Sequence, residues 1–319
     1  MINFKKFFNT YWDLEKSERV ISLFGKRFRF HKKHSFSSIY IELDNVNSKI
    51  NALRYLLDNY LDIRACKPAT GQLRDIQLEC IKMLDIVKNI CEENNLNYWL
   101  DAGTLLGAVR HNGFVPWDDD IDLCMCRKDY DVMSKLITKY FDKSCYYIRK
   151  KCDTANNFQI RVVNIHNYAA LDIFPMDSYF KNNLTETEKT SITENIKKAR
   201  EKFDKKYPKK EMYYDVDLMK KELKNLKNTY IMQNHNSKNN GALYYAIDFP
   251  YEAANNLIYN YDEVFPLTKI MFEGNYYNAP NQTDTYLKNI YNDYNKFPEY
   301  IWAANPLYYE QQKKSLQVH

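Results

Sequence analysis

The chain has little glycine: seven residues in 319, against a usual share of about 7%. It has no glycine- or proline-rich tract, no low-complexity stretch and no internal repeat at solenoid spacing. Fibrous, array and linker-dominated architectures are thereby excluded. It also lacks any run of about 18 uncharged apolar residues, so no membrane-spanning helix is expected. The first twenty residues, MINFKKFFNTYWDLEKSERV, scatter charge where a secretory signal needs an apolar core of about 7–15 residues. The seven cysteines, from Cys66 to Cys152, form no CxxC pair. An odd count without pairing motifs argues against a disulfide framework and for a reducing cytoplasm. Cys124 and Cys126, two apart, read as small strand residues, because the spacing of a zinc knuckle is absent. What is present is globular in balance: 45% apolar and 27% charged residues, with length for one large domain or two small ones.

Charge is unevenly placed. The formal net charge is +5; residues 1–34 hold nine basic and three acidic residues, or +6, leaving −1 for the rest. The same segment carries Phe4, Phe7, Phe8, Trp12, Phe24, Phe28 and Phe30. Within it, FGKRFRFHKK alternates as an amphipathic strand pair does. Interleaved aromatic and basic side chains also suit an anionic membrane surface, so residues 1–34 are where peripheral contact with the inner face of a cytoplasmic membrane is expected. The same pattern would suit nucleic acid, which is not expected as a partner.

Periodicity organises the remainder. Residues 36–62 read as a helical lead-in. Residues 71–95 read as an amphipathic helix, with Leu73, Ile76, Cys80, Met83, Leu84, Val87 and Cys91 recurring at threes and fours. Tyr98-Trp99-Leu100 reads as a buried strand, 104–111 as a short helix, 112–119 as a loop and 120–126 as a second strand. Residues 128–140 read as a helix, and 158–165 and 168–174 as two further strands. Residues 183–240 are rich in Lys, Glu and Asn, contain no Gly and are broken by Pro208. They read as surface helices forming an appendage, whose mixed charge is that of a solvated face or of a flap over an acceptor. Residues 255–319 mix Tyr-rich strands with a final helix. The expected fold class is α+β. The expected division is a basic N-terminal segment and lead-in over 1–69, a catalytic core over 70–182, a helical appendage over 183–254, and a part over 255–319 that completes the core.

One stretch concentrates the chemistry: YWLDAGTLLGAVRHNGFVPWDDDIDLCM, residues 98–125. Three of the seven glycines (Gly103, Gly107, Gly113) and two of the four tryptophans fall in it. Asp120-Ile121-Asp122-Leu123 alternates as a strand does, so the two acids share one face. Paired carboxylates on a strand repel unless one is protonated or a cation sits between them, and hard oxygen donors suit Mg²⁺ or Mn²⁺. Asp118 and Asp119 read as loop residues that cap turns or position the strand. A strand ending at Asp101, then Gly103-Thr104, then a helix, offers free N–H groups to an anion. Thr104 can add a hydroxyl, and Arg110 and His111 lie one to two turns on. An anion cradle facing a cation site is what phosphoryl transfer needs. Asp172, in the apolar strand Ala170-Leu171-Asp172-Ile173-Phe174-Pro175, would be costly if buried unpaired, and a shared metal ion would satisfy it. Arg161, on the preceding strand, is a second candidate phosphate contact.

These residues carry a resemblance. LDAGTLLGAVRHNGFVPWDDDIDLCMCRKDYD (100–131), LDIFPMD (171–177) and, less specifically, FPLTKIMFEGNYYNAP with YLKNIYNDYNKFP (265–298) resemble the LicD family, within the nucleotidyltransferase-fold superfamily. The resemblance spans roughly residues 70–300. Fukutin-related proteins look like distant relatives through the same Gly-x-Leu-Leu-Gly and Pro-Trp-Asp elements. The resemblance implies a nucleotidyltransferase-like mixed sheet with flanking helices. It implies that Gly103 and Thr104 stand for the superfamily's Gly-Ser phosphate element, that Asp120 and Asp122 are the paired metal-binding acids, and that Asp172 is the third. It further implies transfer of phosphocholine from CDP-choline, or of the phospho-alcohol of another CDP-alcohol such as CDP-ribitol or CDP-glycerol, to a sugar hydroxyl of a surface glycan with release of CMP. Asn292 stands where the family's tail motif usually carries Gly. A quaternary ammonium would call for an aromatic box, for which Trp99, Trp117, Tyr276 and Trp302 are candidates. Two other readings use the same residues: a nucleotidyltransferase that adds a nucleoside monophosphate and releases pyrophosphate, and a metal-free scaffold that binds glycan.

Overall fold

The structure is a computed structural model that describes residues 8–13, 18–23, 26–30, 36–149, 159–179, 181–206, 241–245 and 258–298. The readings made for the side chains of 1–34, for 207–240 including Pro208, for Cys152 and for Trp302 lie outside the described residues. The chain divides into two units, residues 1–62 and 63–319. No helix among the described residues is long and apolar enough to cross a membrane.

In the first unit, β1 (Phe8–Asp13), β2 (Glu18–Leu23) and β3 (Lys26–Phe30) form an antiparallel sheet in that order. Strands β2 and β3 pair with Leu23 opposite Lys26 and Arg19 opposite Phe30. Helix α1 (Phe36–Tyr60) covers nearly all of the expected lead-in.

In the second unit, α2 runs over Gly71–Asn94, and its periodic face is the buried one: Ile76, Cys80, Met83, Leu84 and Val87 are within 1% of full burial. The helix ends where Asn95 takes the left-handed conformation (φ 53°) and returns its N–H to the Cys91 carbonyl, an end that Asn tolerates. Then follow β4 (Trp99–Leu100), α3 (Ala102–His111), β5 (Asp120–Cys126), α4 (Arg127–Leu136), β6 (Tyr146–Arg149), β7 (Ile160–Asn164) and β8 (Ala170–Ser178). A 3₁₀ turn over Ile137–Lys139 continues α4, which accounts for the longer helix that the sequence suggests. After α5 (Glu186–Lys206) come β9 (Leu243–Tyr245), β10 (Ile258–Tyr259), α6 (Tyr261–Val264), the hairpin β11 (Thr268–Phe272) and β12 (Asn275–Ala279), and α7 (Thr283–Tyr291).

The main sheet is mixed, with the order β10-β9-β8-β5-β4 and with β6 and β7 joined through β8. Strand β8 is its axis. One side pairs parallel with β5. The other side is shared: β7 pairs antiparallel as far as Ile173, and β9 takes over from Met176. Pro175 falls in that handover, where a residue without an N–H costs no ladder bond. Eight of the nine β8 residues are buried, as expected of a strand covered on both faces. The sequence expectation of an α+β fold with a mixed sheet and flanking helices is met.

Candidate active site

The register of β5 on β8 builds the site. Asp122 stands opposite Asp172 in the parallel pair, and neighbouring strands lie about 4.8 Å apart. Asp120 projects from the same face of β5 as Asp122, while Ile121 and Leu123 fill the core behind. One carboxylate oxygen from each of Asp120, Asp122 and Asp172 lies within 4.8 Å of the others. Asp118, Asp119 and Asp120 form a second such triplet, so Asp120 belongs to both.

The electrostatics follow from that crowding. Burial, then Asp172 and Asp119, push the Asp120 pKa up to about 7 against the pull of Arg161. Asp122 is held well above the usual carboxylate range by burial and by Asp120, Asp172, Asp118 and Asp101. Asp118 is raised by burial, Asp120 and Asp119. Such an arrangement is unfavourable for the protein alone and favourable once a cation is shared. Hard carboxylate oxygens from two adjacent strands fit a divalent ion of the Mg²⁺ or Mn²⁺ kind.

Asp172 has protein partners as well. Gln159 Nε2 donates to it at 2.9 Å. Arg161, opposite it in the β7–β8 ladder, forms an ion pair with its other oxygen. Arg161, proposed from sequence as a phosphate contact, is therefore placed on the third acid.

The β4–α3 turn supplies the other wall. Asp101 ends β4, its N–H donating to the Asp122 carbonyl at 3.0 Å. Ala102 then takes φ 40°, a left-handed conformation that costs a non-glycine residue roughly 1–3 kcal/mol. Gly103 follows, and a Cβ there would sit 2.5 Å from Asp118 Oδ2. The absent side chain thus admits an acid of the neighbouring loop as well as leaving backbone open. At Gly107 a Cβ would collide with the Gly113 carbonyl, so this glycine lets α3 lie directly on the loop that delivers Asp118. Thr104 is buried, and its Oγ1 accepts the Asp122 N–H at 2.8 Å, tying the start of α3 to the acidic strand. Arg110 is buried too. It donates through Nη1 to the Tyr294 carbonyl at 2.7 Å, and its Nε has no partner among the described residues.

Several neighbours were not singled out in the sequence. Tyr286 Oη donates to Asp101 Oδ1 at 2.7 Å and accepts Trp99 Nε1 at 3.2 Å, while Cys124 Sγ donates to Asp101 Oδ2 at 3.1 Å. This buried group fastens α7 to the strained turn at Ala102. Tyr291, at the end of α7, keeps 37% of its surface open. Burial of its hydroxyl, with Asp122, Asp118, Asp101 and Asp120 around it, pushes its pKa well up, so its phenol borders the acids. The Tyr-Asn-Asp run at 291–293 was the available signal. Asp293 instead turns to Lys296 at 3.4 Å in solvent, and Asn292 takes φ 56°, the backbone state in which glycine is at ease. Of the aromatic candidates, Trp99 is committed to the core, Trp117 packs against it half-buried, and Tyr276 is 57% exposed on β12.

Comparison with known proteins now adds to this geometry. Residues 95–212 match the family profile described as "LicD/FKTN/FKRP, nucleotidyltransferase domain". Over that stretch the chain is similar to the LicD family. The matched stretch carries both the turn at Gly103 and all three acids. A stretch of 58 residues is 52% identical to lipopolysaccharide cholinephosphotransferase LicD of Haemophilus influenzae, covering 18% of this chain and 22% of that protein. An uncharacterised protein of Rickettsia prowazekii is 32% identical over 97 residues, 30% of this chain and 33% of its own. Human ribitol 5-phosphate transferase FKRP is 44% identical over 43 residues, 14% of this chain and 9% of its own. The matches span between 9% and 33% of the length of these relatives.

Proposed function

We propose that this chain is a metal-dependent phosphotransferase that moves a phospho-alcohol group, phosphocholine from CDP-choline above all, to a sugar hydroxyl of a cell-surface glycan and releases CMP. The convergence of Asp120, Asp122 and Asp172 within 4.8 Å carries the reading. The similarity to the Haemophilus lipopolysaccharide cholinephosphotransferase supports the choice of donor and acceptor class.

The three acids would hold the divalent ion, which when bound neutralises diphosphate charge and withdraws electrons from phosphorus. The Gly103 N–H and the Thr104 hydroxyl proton, whose oxygen already accepts the Asp122 amide, are assigned to phosphate oxygens. Arg110 Nε, buried without a partner among the described residues, is assigned to the same cradle. Arg161 contributes positive charge beside Asp172. Asp172 accepts the proton of the attacking sugar hydroxyl. The new P–O bond to the sugar forms as the P–O bond to CMP breaks, and CMP leaves. The basic and aromatic residues 1–34 bring the enzyme to the inner face of the cytoplasmic membrane, where a lipid-linked acceptor is met.

The test is incubation with CDP-choline, CDP-ribitol and CDP-glycerol in Mg²⁺, with candidate glycans added in turn. CMP release that depends on the ion and rises with one glycan is the expected result. Pyrophosphate release from CTP, or no CMP from any donor, would overturn the proposal.

A further inference from the structure

A buried acceptor beside the acids has no donor. Gln159 directly precedes β7 and is 7% exposed. Its Nε2 donates to Asp172 Oδ1 at 2.9 Å, while its Oε1 has no partner among the described residues. Strand alternation sets it with Arg161 on the sheet face that carries Asp172, and Ile160 and Val162 fill the core behind. The amide cannot exchange its ends, because Oε1 would then meet a carboxylate oxygen, one acceptor against another. The bond to Asp172 therefore fixes Oε1 as an acceptor beside the third acid. A buried acceptor without a donor is unfavourable, and a ligand that supplies one relieves it.

The chemistry of the ligands narrows what supplies that donor. Ionised phosphate oxygens are acceptors only, and a quaternary ammonium carries no N–H, so neither end of a phosphocholine group can serve. Sugar hydroxyls can. Strand β7 pairs with β8, and β5 and β4 follow on the other side of β8. At roughly 4.8 Å per strand, Gln159 stands about 14 Å across the sheet from β4, which leads into the turn at Gly103. In-line transfer sets the attacking hydroxyl opposite the leaving CMP across phosphorus. Asp172 is the base on the attacking side, and the hydroxyls of the CMP ribose lie on the leaving side. The attacking hydroxyl has one proton, which passes to Asp172, so Oε1 must receive a different one.

We propose that Gln159 is a specificity-determining residue whose Oε1 accepts a hydrogen bond from a second hydroxyl of the acceptor sugar, next to the one that attacks. The inference rests on the phosphotransferase reading above and adds the class of acceptor to it: a sugar with a neighbouring pair of free hydroxyls. One carboxamide then holds the base through Nε2 and the substrate through Oε1, so the two are oriented together.

The experiment measures CMP release from CDP-choline in Mg²⁺, with the methyl glycosides of galactose, glucose and N-acetylgalactosamine as acceptors and with the monodeoxy derivatives of each. By kcat/KM the parent chain should use the best glycoside about 10- to 100-fold better than the derivative that keeps the attacked hydroxyl and lacks its neighbour. Gln159→Met and Gln159→Leu, checked for fold by circular dichroism, should bring that ratio close to one. The ratio is taken within each variant, so any loosening of Asp172 cancels. No discrimination by the parent, or a ratio unchanged in the variants, would overturn the inference and leave the phosphotransferase reading standing. An unchanged ratio with weakened Mn²⁺ binding would assign Oε1 to the ion instead. CMP release with the larger glycans but with none of the glycosides would also overturn this inference alone, because recognition would then lie outside a single sugar. No CMP release with any acceptor would overturn both.

Discussion

Two kinds of acidic position in the same unit are treated in opposite ways. Glu79, on the sheet-facing side of α2, is 9% exposed. It accepts Tyr146 Oη at 2.6 Å, Asn164 Nδ2 at 2.9 Å and Lys82 Nζ at 2.9 Å. Burial acts to raise its pKa, but those donors prevail and hold it below the usual range. Asp120 and Asp122 are set among other acids, and burial and like charge raise both. Glu79, satisfied by those donors, is a fastening that ties α2 to β6 and β7. Acids crowded together in this way are the ones to which the proposed function assigns a bound cation, and that contrast is why the face of β5 is proposed as the reactive one.

The contrast can be broken most forcefully at Asp122. Asp122→Asn should lower turnover on the order of 10³-fold, since both charge stabilisation and ion binding are lost. Its melting temperature without metal should hold or rise, because a repulsion is removed. A CMP-release assay and a thermal melt on the same preparation read both quantities. Glu79→Ala should do the reverse, costing about 2 kcal/mol in urea unfolding, as buried donors lose their acceptor. Its turnover per folded molecule should stay near the parent value. If the two variants destabilise alike, the distinction between fastening and reactive acids is wrong.

pH sharpens the same comparison. The Asp120 pKa is about 7 when folded and about 3.9 when unfolded. Between those values the folded state keeps a proton that the unfolded state has released, so stability of the metal-free protein falls as pH rises from about 4 to 7 and then levels. An ion that replaces the proton should cancel that fall. Mg²⁺ or Mn²⁺ is therefore expected to raise the melting temperature more at pH 8 than at pH 6, and an equal shift at both would count against it. The smallest expected effect is at Asn292, where φ is 56°. Asn292→Gly should stabilise by up to about 1 kcal/mol and Asn292→Val should destabilise, both measurable by urea unfolding.

Local pattern and tertiary register contributed differently to what the sequence made legible. The 3.6-residue spacing over 71–95 is visible by itself, and α2 occupies Gly71–Asn94. The alternation at Asp120-Ile121-Asp122-Leu123 sets two acids on one face, since strand geometry alone decides it. The pairing of Arg161 with Asp172 was not legible, because it depends on the antiparallel register of β7 against β8, which no local pattern encodes. The short strands Tyr146–Arg149 and Leu243–Tyr245 escaped for a similar reason: four and three residues carry too little periodicity to stand out. Tyr291 and Tyr286 were two tyrosines among 28, and only the packing of α7 against α3 distinguishes them.

The central claim is that Asp120, Asp122 and Asp172 hold one divalent ion in common. Titration of the purified chain with Mn²⁺, followed by the loss of the free-ion electron paramagnetic resonance signal, tests it without reference to any substrate. The account predicts saturable binding that Asp120→Asn, Asp122→Asn and Asp172→Asn each weaken severely while the fold persists. Binding that survives Asp172→Asn at the parent affinity, or no saturable binding at all, would contradict it.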